Sequence, residues 1–211
     1  MMGDNFYYFP EDNLYSTDLY DIYKTQAKVL SLKAGRATIG LIQKRARELE
    51  DLFDTVIPEK SGVVIPLPRH TVGKNPSLEP VVREIEKMSQ GRYINGTGFI
   101  YRSQELDNGK IVKGRERGSA DIHESSMKIS PNKDSIVNMM KYPVILVDDV
   151  YTTGGTMGGA EQLLQKRIAQ KIYKIAILKA GKTVNKITIQ INVENAIKQT
   201  EEVKKRRGRH Y

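Results

Sequence analysis

The residues with the clearest chemical potential lie in one stretch, where an apolar run meets two carboxylates and then a loop of small residues. Residues 144–147 are branched and apolar, Asp148 and Asp149 follow directly, and a helical pattern begins near residue 155. Glycines let a backbone approach a ligand closely, and the N–H groups that open a helix lack internal partners and carry the positive end of the helix dipole. This pattern predicts a phosphate cradle. Its members are Thr152, Thr153, Gly154, Gly155 and Thr156.

The two carboxylates suit a different part of the same ligand. Ionised carboxylates are strong hydrogen-bond acceptors, and the vicinal hydroxyls of a ribose are donors. We therefore expect Asp148 and Asp149 to bind a sugar whose 5′-phosphate lies in the loop. The ligand class that combines both features is a ribose 5-phosphate.

Alternating strands and helices are expected to position this segment. Short apolar runs at residues 62–68, 93–101, 144–147 and 172–178 predict strands, whereas the spacing of apolar residues from Thr17 to about Phe53 predicts helices. Ser77 is expected to cap a further helix that carries Pro80 in its first turn. Such alternation favours an α/β fold with a central, mainly parallel sheet, whose ligands bind at the carboxyl ends of the strands.

The segment at residues 144–156 resembles the motif with which type I phosphoribosyltransferases bind 5-phosphoribosyl-1-pyrophosphate (PRPP). The resemblance covers thirteen contiguous residues, and the rest of the chain agrees with the family in layout. It implies that Asp148 and Asp149 hold the ribose 2′- and 3′-hydroxyls, and that residues 152–156 hold the 5′-phosphate. It also implies Mg²⁺ as the cofactor, carried largely by the pyrophosphate of PRPP rather than by protein ligands.

The family also has a loop that holds pyrophosphate, after an early strand. The polar loop after residues 62–68 is its positional match, and an ordinary polar turn is the alternative interpretation. The candidate phosphate contacts in this loop are Arg69, Thr71, Gly73 and Lys74.

A long flexible loop that closes over the active site is a third family feature. Residues 103–134 match it in length and polarity, and Arg115 and Arg117 are the candidate catalytic residues that would neutralise the leaving pyrophosphate. Closure would exclude water from an oxocarbenium-like centre. Within this stretch His123 and Glu124 begin a zincin-like pattern, but Met127 stands where the second histidine belongs, so the pattern assigns them no role.

The chain is expected to divide into three parts. Residues 1–56 form an N-terminal helical segment, residues 57–182 the phosphoribosyltransferase core, and residues 183–211 an extension with a basic tail. The small hood that covers the acceptor in this family would come from the first part, the third part or both.

Composition narrows the function classes. The absence of cysteine excludes thiol chemistry and disulfides, and three histidines argue against a histidine-rich metal centre. No apolar run approaches the ~20 residues of a membrane span, and the first residues lack a leader pattern, so we expect a cytoplasmic protein. Much of the net charge of +9 lies at the C-terminus, in a tail that is either simply solvated or a contact for nucleic acid. The tail's basic residues are Lys204, Lys205, Arg206, Arg207 and Arg209.

Two functions follow from the resemblance. The first is an enzyme that transfers the 5-phosphoribosyl group of PRPP to a nitrogen acceptor, most simply a nucleobase, with release of pyrophosphate. Thr152 stands where hypoxanthine- and guanine-specific members carry an acid, so the motif is closer to orotate-type enzymes and to competence-associated proteins. The second is a non-catalytic regulator of the same fold that senses PRPP or a nucleotide and contacts nucleic acid. Family members are often homodimers, so the resemblance allows a homodimer, but the sequence itself does not fix the oligomeric state.

Overall fold

The structure is a computed structural model that describes residues 7–9, 14–19, 31–32, 34–106, 120–168 and 170–179. In chain order its elements are β1 (Tyr7–Phe9), β2 (Leu14–Leu19), α1 (Ile39–Val56), β3 (Gly62–Pro66), α2 (Glu79–Met88), β4 (Tyr93–Asn95), β5 (Ile100–Arg102), α3 (Ala120–Ser125), β6 (Met127–Ile129), α4 (Lys133–Lys141), β7 (Val144–Tyr151), α5 (Gly155–Gln165) and β8 (Ile172–Lys179). No helix among these residues is long and apolar enough to cross a membrane.

Six strands form the central sheet, in the order β1-β2-β8-β7-β3-β4. Neighbours from β2 to β4 pair in parallel, and only β1, at one edge, is antiparallel. Strands β5 and β6 pair separately as a small antiparallel sheet. The predicted α/β fold, with a central and mainly parallel sheet flanked by helices, is confirmed.

Helices cover both faces of the sheet because its inner strands are apolar on both sides. Val64 and Ile145 pack with α1 and α2 on one face, and Val63 and Val144 pack with α4, α5 and the β5–β6 sheet on the other. Alternate residues of a strand point to opposite faces, so an uninterrupted apolar run is typical of such a doubly covered sheet. All five residues of β3 are buried, as this arrangement requires.

The helical prediction that began at Thr17 is wrong at its start. Residues 14–19 form β2, which pairs in parallel with β8, and residues 7–9, for which the sequence predicted no element, form β1. Leu14 is fully buried, and the buried Ser16 hydroxyl donates to the Ile177 carbonyl at 3.3 Å. Pairing with a distant strand overrides a local periodicity of apolar residues.

The single strand predicted at residues 93–101 is two strands in different sheets. The turn between β4 and β5 begins at Gly96, where a Cβ would lie 2.8 Å from the Ile65 side chain. Contact this close favours glycine at this position, where the Gly96 N–H still donates to the Val64 carbonyl of β3. The Ser77 cap is also wrong, because α2 begins after Leu78 without a side-chain cap, although Pro80 does lie in its first turn.

The polar stretch 103–134 contains more structure than its composition indicates. It includes α3, β6 and the start of α4. The predicted catalytic residues Arg115 and Arg117 lie outside the described residues, as do the predicted extension at residues 183–211 and its basic tail. The predicted division at residue 56 stays a prediction; β2 is a strand of the central sheet, and α1 packs on one face of that sheet.

Candidate functional site

The candidate site lies where the strand order of the sheet reverses. Strands β3 and β7 are neighbours, but the next strand after β3 is β4 on one side and the next after β7 is β8 on the other. The loops that leave β3 and β7 therefore diverge and open a crevice at the carboxyl ends of the strands. In open α/β sheets ligands bind at such a point, and both loops predicted to bind phosphate flank it.

The acidic pair lies inside β7 rather than after it. The strand continues to Tyr151 because β8 keeps pairing with it, and Asp148 stands opposite Ala176. Asp149 is only 6% exposed, and its N–H donates to Asp148 Oδ1 at 2.8 Å. Both residues therefore lie near the carboxyl end of β7, Asp148 half-buried and Asp149 buried, and their contact with sugar hydroxyls stays a prediction.

The loop after β7 is three residues long and tightly shaped. Thr152 and Thr153 are exposed, whereas Gly154 adopts a left-handed conformation with φ of 78°. A Cβ on Gly154 would overlap the hydroxyl of the buried Tyr151 and lie 2.7 Å from its Cζ. The Lys179 ammonium lies 4.3 Å from the centroid of the same ring. The left-handed backbone and the Tyr151 ring beneath the loop therefore both favour glycine at this position.

Helix α5 starts directly after this loop and presents its positive end to the crevice. The Gly158 N–H donates to the Gly154 carbonyl at 2.7 Å, which closes the first turn and leaves the preceding N–H groups of the helix without intrahelical acceptors. Within α5 there is no acidic residue in the first turn and no capping side chain to neutralise that end. Exposed threonines, open N–H groups and the helix dipole together can bind a phosphate.

The loop after β3 is longer and more open. Its start is fixed level with the acidic pair, because the Leu67 N–H donates to the Val147 carbonyl at 2.9 Å. Arg69 is half-buried, whereas Thr71, Gly73 and Lys74 are exposed. All four predicted contacts lie on the loop that leaves the carboxyl end of β3, and their contact with a phosphate stays a prediction.

Arg102, which the sequence analysis did not identify, connects the loop after β3 with the end of α3, the helix that packs on α5. It is 4% exposed, its Nε donates to the Arg69 carbonyl at 3.2 Å, and its Nη1 donates to the His123 carbonyl at 3.4 Å and to the Ser126 hydroxyl. Its Nη2 is buried with no hydrogen-bond partner in the described part of the chain. Burial lowers the pKa of Arg102 to about 10, so the side chain stays charged at neutral pH.

His123 is the second residue that the sequence did not reveal. The ring is 6% exposed, its Nδ1 lies 3.2 Å from Thr156 Oγ1, and its centroid is 5.6 Å from that of His70. Burial, and then the nearby Arg102 and His70, lower the pKa of His123 to about 4. At neutral pH the imidazole is therefore uncharged and offers one donor and one acceptor.

The sequence carried no signal for either residue. Arg102 ends a three-residue strand, and His123 lies in a stretch without a core pattern. Both gain their importance from contacts with residues distant in the chain. Across the described residues, no group of three or more histidine, aspartate or glutamate side chains is arranged to hold a metal ion.

Comparison with known proteins gives only distant likenesses. No family model matches the chain, and no curated protein matches it. Among solved structures, it is similar to UMP synthase of Leishmania donovani, with 14% identity and a TM-score of 0.36 over 66% of this chain and 27% of that chain. It is also similar to a purine phosphoribosyltransferase from Pyrococcus horikoshii, with 15% identity and a TM-score of 0.35 over 80% of this chain and 88% of that chain. The chain thus spans about a quarter of the UMP synthase chain.

Proposed function

We propose that the protein is a phosphoribosyltransferase that uses PRPP. The observation that carries the proposal is the junction of an acidic pair, a three-residue loop and the start of α5 at the end of β7, beside the reversal of strand order. A phosphate alone would not require two carboxylates next to its binding loop. A phosphorylated ribose does, because its hydroxyls need acceptors and its 5′-phosphate needs donors.

The proposed reaction exchanges one bond at C1 of the ribose. The C1–O bond to pyrophosphate breaks, and the pyrophosphate leaves with the electron pair. A C1–N bond forms with a nitrogen acceptor, most simply a nucleobase, whose N–H proton passes to the pyrophosphate or to solvent. Catalysis of this kind depends on positioning and on stabilising the charge of the leaving group.

In this proposal the described residues would both position the substrate and stabilise the leaving group. Asp148 and Asp149 would orient the ribose, and residues 152–156 would fix its 5′-phosphate at the start of α5. The leaving group would lie towards the loop after β3, where Lys74 is exposed. Arg102 would act through its charge, because its guanidinium is buried beneath that loop. Mg²⁺, bound mainly by pyrophosphate oxygens and water, would neutralise further charge on the leaving group.

Calorimetric titration of PRPP with Mg²⁺ tests the proposal directly. We expect micromolar binding to the wild type and loss of at least about tenfold in affinity, or 1.4 kcal/mol, in the Asp148→Asn/Asp149→Asn variant. The matched control is Asp51→Asn/Glu59→Gln, which removes the same charge from exposed positions on and just after α1. That control should bind PRPP like the wild type.

The outcomes separate three cases. Binding that only the Asp148/Asp149 variant loses supports the site, and a screen of bases for pyrophosphate release then identifies the acceptor. Equal loss in both variants would assign the effect to net charge. Absence of PRPP binding to the wild type would refute the proposed function.

A further inference from the structure

Helix α3 packs unusually closely on the helix that opens at the phosphate cradle. A Cβ on Gly159 of α5 would lie 2.6 Å from the Glu124 N and 2.7 Å from the Ala120 carbonyl oxygen. The Lys166 ammonium, just after α5, also forms an ion pair with Glu124. This close contact brings His123 of α3 within reach of the first turn of α5.

The position of His123 is fixed from two sides. Its carbonyl accepts hydrogen bonds from Arg102 Nη1 at 3.4 Å and from the Ser126 hydroxyl at 2.7 Å, which hold the backbone. Its ring Nδ1 lies 3.2 Å from Thr156 Oγ1, and Thr156 is the second residue of α5. A buried histidine with a fixed backbone can therefore control where the Thr156 hydroxyl points.

The tautomer of a neutral His123 decides what Thr156 can do. If Nδ1 accepts a hydrogen bond, the single hydrogen of the Thr156 hydroxyl points at the histidine and cannot be donated to a ligand. If Nδ1 carries the hydrogen and donates it, the Thr156 oxygen is satisfied as an acceptor and its hydrogen is available to a phosphate. Only the second arrangement adds a donor to the cradle.

We propose that His123 is a positioning residue for the phosphate cradle, whose Nδ1–H donates to Thr156 Oγ1 and turns the threonine hydrogen towards a bound phosphate. The proposal rests on the proposed function, because it assumes that the cradle binds the phosphate of a ribosyl ligand. Burial, and then the nearby Arg102 and His70, lower the pKa of His123, so the ring stays neutral. A neutral imidazole can carry its one hydrogen on either nitrogen. His123 does not contact the ligand; it acts through Thr156.

The test uses ribose 5-phosphate as the probe and the full chain as the protein. His123→Leu removes the donor at similar volume, His123→Asn keeps an N–H donor near the Nδ1 position, and Thr156→Val removes the hydroxyl. We expect His123→Leu to weaken ribose 5-phosphate binding roughly tenfold, the size of one hydrogen bond to a charged group, and His123→Asn to restore most of it.

A double-mutant cycle separates positioning from mere structural support. In the Thr156→Val background, His123→Leu should cause no further loss of affinity, because the hydroxyl that it orients is gone. Losses that add fully would overturn the proposal and assign His123 a structural role. Equal binding by the wild type and His123→Leu would overturn it as well.

Nitrogen NMR of the wild type gives a measurement that does not depend on how the His123 and Thr156 variants fold. The chain has three histidines, so His70→Asn and His210→Asn variants assign the ring signals. We expect His123 in the ribose 5-phosphate complex to be protonated at Nδ1 and not at Nε2. An Nε2–H tautomer in the complex would overturn the proposal even if ribose 5-phosphate binds, whereas absence of ribose 5-phosphate binding to the wild type would overturn the proposed function itself.

Discussion

The loops after β7 and after β3 each contain a glycine in the left-handed region, but their surroundings differ. Gly154 has φ of 78° and Gly73 has φ of 73°. A Cβ on Gly154 would overlap Tyr151, whereas a Cβ on Gly73 would meet nothing within 4 Å. The first loop is thus shaped by packing against the protein, and the second by its own backbone. We expect a phosphate to find the first cradle preformed, and a ligand to help order the second.

The largest expected difference between the two loops comes from replacing the left-handed glycine of each loop with alanine. Gly154→Ala combines left-handed strain with overlap of Tyr151, so we expect it to destabilise the protein by about 2–5 kcal/mol and to abolish ribose 5-phosphate binding. Gly73→Ala adds strain only and should lower stability by roughly 1–2 kcal/mol, with ribose 5-phosphate binding retained. Denaturant unfolding and calorimetric titration measure both. Equal effects of the two variants would show that packing does not distinguish the loops.

Acid is expected to reduce the stabilisation that the neutral His123 side chain provides beside the β7 loop. Burial beside Arg102 and His70 lowers the pKa of His123 to about 4, below its unfolded value of 6.5. The contribution of neutral His123 to the free energy of unfolding is therefore complete above pH 6.5. It is lost as the pH falls towards 4, and the loss amounts to at most about 3 kcal/mol. Unfolding free energies of the wild type and His123→Asn, measured from pH 7 to 4, should converge as the pH falls. A constant difference across that range would contradict this linkage.

Disturbing the contact between α3 and α5 should have the next largest effect. Gly159→Ala forces α3 away from α5 and should reduce stability by roughly 1–3 kcal/mol and weaken ribose 5-phosphate binding. The matched control is Gly40→Ala in α1, where a Cβ meets nothing within 4 Å and helix propensity should stabilise the protein by up to about 1 kcal/mol. Thermal unfolding of both variants checks the contrast. A Gly159→Ala protein as stable as Gly40→Ala would show that α3 can move away from α5 without loss of stability.

The smallest expected effect on stability belongs to the open loop after β3. Lys74→Met removes an exposed charge, so the free energy of unfolding should change by less than about 0.5 kcal/mol. PRPP affinity should fall several-fold and become less dependent on salt, while ribose 5-phosphate affinity stays constant. Lys87→Met, on the exposed end of α2, is the control and should leave both affinities unchanged. Loss of ribose 5-phosphate binding in Lys74→Met would contradict the separate roles of the two loops in binding.

The sequence predicts the parts of the fold that depend on local patterns. The apolar run at residues 144–147 and the glycines that follow it are local signals, and the structure confirms the strand and the helix that they predict. The strand nevertheless continues through Asp148 and Asp149, because pairing with β8 overrides the low strand preference of aspartate. Residues 14–19 form a strand for the same reason.

The supporting residues of the candidate site could not be predicted. His123 lies 33 positions from Thr156, and Arg102 lies 33 positions from Arg69 and 24 from Ser126. Neither spacing matches a known motif, and the contacts exist only because α3 and β5 fold beside the two loops. The roles predicted for the loops themselves came from residue type and order, which do not depend on that packing.

The parallel pairing of β2 with β8 also sets the order in which the protein can assemble during synthesis. The hydroxyl of Ser16 reaches the carbonyl of Ile177, 161 positions later in the chain. At ordinary ribosome speeds, the later strand emerges on the order of 10 s after the earlier one. Until then β2 can pair only with β1, and an isolated pair of strands is marginally stable. The N-terminal strands therefore cannot join the sheet until β8 has been made, although they are made first.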